Sequence, residues 1–302
     1  MSLRVAAASW KLRPARGDSD YFGHFHDLVS MAHDEGAQVV VLPELHVLEL
    51  LPLAPDLEEA DAAKFLVQFG GAIESWIGRI SQSSDMIIVG GSHFHQTEEG
   101  IKNVCAIGIP GHGVVLAEKN NLTSYERNVW GLEAGSGLAK LPGGLGVTVC
   151  YDVEFPEAGR ALAESGVKVH CVPSWTETQH GFQRVRWSCL ARAVENQLYV
   201  IHTSLVGDLG YEPAASSYGS SAIIAPSIEP FPLEAVLRET PMNEEGVVVA
   251  DLDYRLLEQA RHTGEVTNWL DRHSGTWEMG EDPGFPDVLE PGHPGNTLGE
   301  LN

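Results

Sequence analysis

The sequence predicts an α/β protein, and three observations carry the prediction. Apolar runs of strand length alternate with amphipathic stretches almost throughout the chain. Several of those runs, such as VVVL at 39–42 and VVVADL at 247–252, are bounded by Gly, Pro and acids and suit strands covered on both faces. No break in composition occurs before about residue 272, and 43% of the 302 residues are hydrophobic, enough for a substantial core. The simplest organisation is one α/β domain over 1–272, followed by a Gly-, Pro- and acid-rich extended arm over 273–302.

Taken in order, residues 3–9 read as a strand and 19–34 as an amphipathic helix. Residues 38–43 make a short buried strand, 57–82 a long helical region and 86–91 another strand. Residues 103–109 and 113–118 form a hairpin, because PGHG between them is turn chemistry. Strands follow near 146–150, 168–173, 198–204, 219–225 and 246–252, with helices near 156–165, 181–196 and 254–262. The segments 46–60 and 207–217 read as loops.

Composition removes several classes of function. Nineteen Lys plus Arg stand against 42 Asp plus Glu, a formal net charge of -23, which repels nucleic acid and anionic membranes. No run reaches the ~18–20 apolar residues of a membrane span. The N-terminal strand meets Trp10 and Lys11 too early for a signal peptide, so a soluble, cytoplasmic protein is expected. Cys105, Cys150, Cys171 and Cys189 are widely spaced with no C-x-x-C, which argues against a zinc ribbon or a redox dithiol. Cys105, Cys171 and Cys189 sit among apolar neighbours and read as core thiols.

In α/β sheets reactive groups gather beyond the carboxyl ends of strands. Glu44 ends VVVLPE, Lys119 ends VVLAEK and Cys150 ends GVTVC, just before a helix. Each residue alone reads more readily as a loop carboxylate, a surface lysine or a packed thiol. Together they make a chemical set. A thiol with a pKa near ~8.5 needs a base or a nearby cation to become a nucleophile. A buried carboxylate supplies the base, and a lysine in the same pocket stabilises a thiolate and a developing oxyanion. The backbone N–H of Tyr151 follows the thiol and completes the oxyanion site.

VVVLPE, AEKNNLTSYE and VTVCYDVEFPE, in that order, resemble the nitrilase (carbon–nitrogen hydrolase) superfamily, and the resemblance continues to about residue 272 through ARAVENQLYVI, YGSSAIIAPS and GVVVADLDYRLLEQAR. It implies a four-layer α-β-β-α sandwich that pairs into homodimers or larger assemblies. It implies Glu44 as general base, Lys119 as transition-state stabiliser, Cys150 as nucleophile and Glu126 as a second glutamate that positions substrate and lysine. The implied partner is a small-molecule amide or nitrile, with no metal or organic cofactor. Within the superfamily the sequence is similar to a bacterial branch of undefined specificity. Tyr151 and Asp152 stand where true nitrilases carry Trp and Glu, which favours amides over nitriles. Glu154 stands where amidase relatives commonly carry Arg, which favours a neutral or cationic substrate. Trp175 and Thr176, after the strand VHCVPS, are expected to line the acyl pocket, with an interface or core aromatic as the other reading of Trp175.

Two readings from other classes compete. His93-x-His95, on an extended segment, turns both imidazoles to one side and would suit a metal-dependent amidohydrolase, but no third ligand stands at a convincing spacing in the sequence. His170 and His202 read as core alternation, and HFH at 24–26 as a helix face. A non-catalytic binding protein on an enzyme fold would be favoured if a member of the Glu–Lys–Cys set were replaced, and all three are present.

Overall fold

Successive residues of the first strand, β1 (Ser2–Leu12), enter two different cores. Val5 and Ala7 belong to one and Ala6 and Ala8 to the other, as the two-residue period of a strand covered on both faces requires. The computed structural model describes residues 2–272, and those through Leu270 form one compact unit. The arm expected over 273–302 lies outside the described residues.

After β1 the chain forms α1 (Asp18–Asp34), β2 (Val39–Val41), α2 (Ala62–Leu66), α3 (Gly70–Ser84), β3 (Ile87–Gln96), β4 (Ile101–Ile109), β5 (Gly113–Glu118) and α4 (Ser124–Asn128). It continues through β6 (Ala139–Leu141), β7 (Leu145–Val147), α5 (Pro156–Glu164), β8 (Val169–Trp175), α6 (Gln179–Asn196), β9 (Tyr199–Gly207), β10 (Ala222–Ile224), β11 (Val236–Glu239), β12 (Gly246–Asp253) and α7 (Tyr254–Thr263).

Six strands make a first sheet in the order β5-β4-β3-β2-β1-β12, parallel from β3 to β1 and antiparallel at both edges. Six more make a second in the order β6-β7-β8-β9-β10-β11, parallel from β7 to β9. The end of β1 joins them, Trp10–Leu12 running parallel to Leu205–Gly207 of β9. Val39, Val41, Cys105 and Ile107 of the first sheet share a core with Val147, Cys171 and Ile201 of the second. Phe25 and Leu28 of α1 and Ile73 and Ile77 of α3 cover the other face of the first sheet, over Val40, Ile88 and Ala106. Ala163 of α5 and Val185, Cys189 and Ala193 of α6 pack on the second sheet. The layers are therefore α-β-β-α, as expected.

The structure corrects the sequence reading in four places. The helical region expected over 57–82 is broken: α2 and α3 are preceded by short 3-10 turns at Glu59–Asp61 and Val67–Phe69. The loop expected from 46 begins as a 3-10 helix, His46–Leu53, whose residues 46–51 are all buried. An apolar face at 3-10 period was hidden there by Pro52 and by polar His46 and Glu49. His24, read only as part of a helix face, is a buried partner of Glu49 and Glu245. Strand β7 ends at Val147, so Cys150 does not close the strand but opens a 3-10 turn, Cys150–Glu154. Cys105, Cys171, Cys189, His170 and His202 are core residues, as read from the sequence. Among the described residues no helix is long and apolar enough to cross a membrane.

Candidate active site

The two sheets bring Glu44, Lys119, Glu126 and Cys150 to one buried cluster. Glu44 sits three residues past β2, in a turn that β3 approaches closely. Gly91 of β3, at φ +70°, permits the approach, since a Cβ there would lie 2.1 Å from the Pro43 carbonyl oxygen. Leu45 follows in the left-handed region at φ 50°. Its N–H donates to Ser92 Oγ on β3 at 3.2 Å. Lys119 follows β5 directly, and its N–H donates to the Asn103 carbonyl on β4 at 2.9 Å.

Glu126 divides its two oxygens between structure and site. Oε2 accepts the Thr123 N–H at 2.8 Å, while Thr123 Oγ1 accepts the Glu126 N–H at 3.2 Å, a reciprocal cap on the short helix α4. Oε1 accepts Lys119 Nζ at 2.8 Å and Asn103 Nδ2 at 3.0 Å. The same two donors reach Glu44 Oε1, at 2.7 Å from Lys119 and 3.0 Å from Asn103. Lys119 thus lies between two carboxylates, and Asn103 ties them a second time.

The thiol comes from the second sheet. Cys150 has φ 47°, a left-handed conformation that costs a non-glycine residue roughly 1–2 kcal/mol. Surrounding bonds hold it there. Asp152 accepts the Val149 N–H at 3.1 Å and, from across the cluster, the N–H groups of Asn120 at 3.2 Å and Asn121 at 2.6 Å. One buried carboxylate therefore staples the Cys150 turn to the segment that follows Lys119. From α6, Arg192 Nε donates to the Val153 carbonyl at 3.0 Å. Cys150 Sγ donates to the Trp175 carbonyl oxygen at 3.4 Å, and the Glu44 charge acts on the thiol. The Trp175 N–H closes the circuit by donating to Glu44 Oε2 at 2.9 Å.

The electrostatics follow from burial with one cation for two carboxylates. Burial first, and then repulsion from Glu126, lift Glu44 above the ordinary carboxylate range, although attraction to Lys119 pulls the other way. Burial would lift Glu126 too, but attraction to Lys119 and hydrogen bonds from Lys119, Thr123 and Asn103 hold it below that range. Lys119 is pushed well above the ordinary ammonium value, because Glu126, Glu44 and Cys150 outweigh its desolvation. Burial and the neighbouring Glu44 charge raise the Cys150 thiol well above its usual value, so the proton rests on sulfur.

A cavity of about 200 Å³ opens onto the cluster. Glu44, Lys119, Glu126, Cys150, Tyr151, Trp175 and Thr176 all line it. The Trp175 ring lies nearly parallel to Trp130 at 6.2 Å, and its Nε1–H donates to Ser217 Oγ at 2.9 Å. Glu154 also lines the cavity, with Arg184 of α6 at 3.7 Å. Asn103, Asp152, Arg192 and the main chain of Trp175 were not singled out for these contacts by the sequence reading. Asn103 is the one side chain with a faint signal, a lone amide in the apolar strand IKNVCAIGI.

A sandwich with this strand arrangement is the fold of the nitrilase superfamily. Saccharomyces cerevisiae Nit3, a member of branch 10 of that superfamily, superposes with a TM-score of 0.70 at 22% identity, covering 86% of this chain and 93% of its own. A carbon-nitrogen hydrolase from Helicobacter pylori gives 0.73 at 17% identity, covering 90% and 95%. The chain belongs to the carbon–nitrogen hydrolase family, whose model, described as "Carbon-nitrogen hydrolase", matches residues 5–262. Probable hydrolase YhcX of Bacillus subtilis is 29% identical over 281 residues, which cover 92% of this chain and 55% of that protein. The chain thus spans about half the length of that relative. A deaminated glutathione amidase of Dictyostelium discoideum is 27% identical over 267 residues, 82% of this chain and 88% of that protein.

Proposed function

We propose that the protein is an amidase that releases ammonia or an amine from a small amide through a thioester on Cys150. The observation that carries this reading is the Cys150 thiol and the buried Glu44 carboxylate lining one cavity, each bonded to the Trp175 main chain, with Lys119 Nζ 2.7 Å from that carboxylate. In acylation Glu44 takes the Sγ proton as sulfur attacks the substrate carbonyl carbon. Lys119 and the Tyr151 N–H stabilise the oxyanion that forms. The C–N bond then breaks, and Glu44 returns its proton to the leaving nitrogen. In deacylation Glu44 accepts a proton from water, the resulting hydroxide attacks the thioester carbon, and the thiol leaves with the proton that Glu44 held. Glu126 keeps Lys119 cationic and in place.

Amides are favoured over nitriles by the relatives named deaminated glutathione amidase and omega-amidase. A cavity of about 200 Å³ is smaller than the ~300–1,000 Å³ of sites for drug-sized ligands, so a short acyl group fits. Glu154 on its wall favours a neutral or cationic substrate over an anionic one. The test is ammonia release over a panel of small amides, nitriles and carbamoyl compounds, with intact-mass detection of an acyl adduct. An amide should give both the adduct and turnover, and Cys150→Ala should abolish both. Full activity in Cys150→Ala would overturn the mechanism, and turnover of nitriles alone would overturn the substrate class.

A further inference from the structure

Outside the lining of the active-site cavity, β3 and α3 assemble a second cluster of donor atoms. His93 and His95 stand two residues apart on β3, so both rings leave the same face of the strand, towards α3. Gly70 lets the helix begin against that face, since a Cβ there would lie 2.6 Å from the Phe94 carbonyl oxygen and 3.3 Å from His93 Cδ2. One turn on, Glu74 points its Oε1 at both rings, 2.7 Å from His95 Nδ1 and 3.1 Å from His93 Nε2. One ligand atom from each residue lies within 4.8 Å of the other two. His93 is buried, while the side chains of His95 and Glu74 are 32% and 22% exposed. The third ligand missing from the sequence pattern is therefore present, on a helix some twenty residues earlier in the chain.

We propose that Glu74, His93 and His95 form a binding site for one divalent first-row cation such as zinc, which braces α3 against β3. The donor set is two imidazoles and a carboxylate, one that suits zinc. Bonds of about 2.0–2.2 Å in a tetrahedron separate neighbouring ligand atoms by roughly 3.3 Å. Glu74 must withdraw a fraction of an ångström from each ring, and the two imidazole nitrogens, within 4.8 Å of one another, must settle to that spacing, with part-exposed Glu74 and His95 free to adjust. The fourth position falls to water on the His95 side.

One feature limits the affinity. Coordination through His93 Nε2 leaves the ring proton on Nδ1, which is buried with no hydrogen-bond partner. Loss of such outer support typically weakens a metal site by about 10–100-fold, so binding should be weaker than in a closed structural zinc site. The ion has no reacting role. Phe94, between the two histidines, faces the opposite way, pairs with Asn103 in the sheet register and packs edge-on against Trp130 at 5.2 Å. The brace thus stiffens, from behind, the strand beside the carboxylate cluster.

The test is equilibrium dialysis of the tag-free protein against Zn²⁺, with thermal unfolding in the presence and absence of the ion. We expect one Zn²⁺ per chain, retained in Cys150→Ala, and a raised unfolding midpoint. His95→Ala and Glu74→Gln should each weaken binding at least tenfold and remove the thermal shift. Both positions are part-exposed, so the variants should fold, and their unfolding midpoints without Zn²⁺ check that they do. Co²⁺ should give the visible absorption of a nitrogen- and oxygen-ligated site with no sulfur charge-transfer band. The proposal fails if wild type binds no Zn²⁺, in which case Glu74 is only a hydrogen-bond clamp. It fails equally if both variants bind as tightly as wild type, or if binding disappears in Cys150→Ala.

Discussion

Glu44 and Glu49 are five residues apart, both about 1% exposed, and flank the start of the same 3-10 helix, yet they have different surroundings. Glu49 accepts Trp10 Nε1 at 2.7 Å and His24 Nδ1 at 2.8 Å, and His24 Nε2 meets Glu245 at 2.7 Å on its other side. This is a packed network with no cavity against it among the cavities described. Glu44 shares its cation with Glu126, lines a cavity together with a thiol and borders open space. Burying a carboxylate with partners is a structural act in both places. A thiol beside it and room for a substrate are what make the Glu44 cluster the candidate reaction site.

Three experiments break or sharpen this contrast. The largest effect is expected from Lys119→Ala, which removes the cation that bridges Glu44 and Glu126. Loss of an oxyanion donor costs about 10²–10³-fold in kcat, and the exposed repulsion of the two carboxylates adds to it. Steady-state kinetics on the best amide, with circular dichroism to confirm folding, reads the outcome. A loss below tenfold would deny Lys119 its place in the mechanism.

Glu49→Ala should act on stability instead. Breaking a buried charged pair costs about 3–5 kcal/mol, and the low end applies because Glu245 still faces His24. At about 2–4 °C per kcal/mol for a chain approaching this size, a loss of ~3 kcal/mol lowers the unfolding midpoint by about 6–12 °C. Activity per folded molecule should stay within a few-fold of wild type. A collapse of kcat in well-folded Glu49→Ala would erase the distinction between the two carboxylates.

The smallest effect is a displaced pH limb. Glu44 must be ionised to take the thiol proton, and burial raises its pKa. The acid limb of kcat/KM should therefore fall above the ordinary carboxylate value of 4.5, with activity lost as pH drops through it. No alkaline loss from Lys119 is expected near neutrality, since its pKa is raised well above 10.5. An acid limb at or below 4.5 would mean that Glu44 is not the group that takes the proton.

Much of the molecule was legible in one dimension because its signals are local. The two-sided strand β2 read directly from VVVL, since a strand covered on both faces has no polar alternation to obscure it, whereas VVVADL, expected to be covered likewise, is β12 at the sheet edge and only part-buried. The cluster was legible because Glu44, Lys119 and Cys150 each follow a strand and differ in chemistry from everything around them. The 3-10 helix at His46–Leu53 was not. Its buried His46 stacks on Trp10 at 4.5 Å and bonds the Gly90 carbonyl at 2.8 Å, partners distant in sequence that make a polar residue tolerable inside.

By itself the sequence determined the α/β class, the three reactive residue types and their order. These depend on the period of hydrophobic burial and on side-chain chemistry, which each segment carries alone. Tertiary structure decided which atoms meet: the Trp175 main chain on Glu44 and Cys150, Asn103 between two carboxylates, Asp152 across to Asn120 and Asn121, and Glu74 beside His93 and His95. Hydrogen bonds and close charges act over about 3 Å, and only the packing of two sheets and their helices sets distances that small between residues this far apart in the chain.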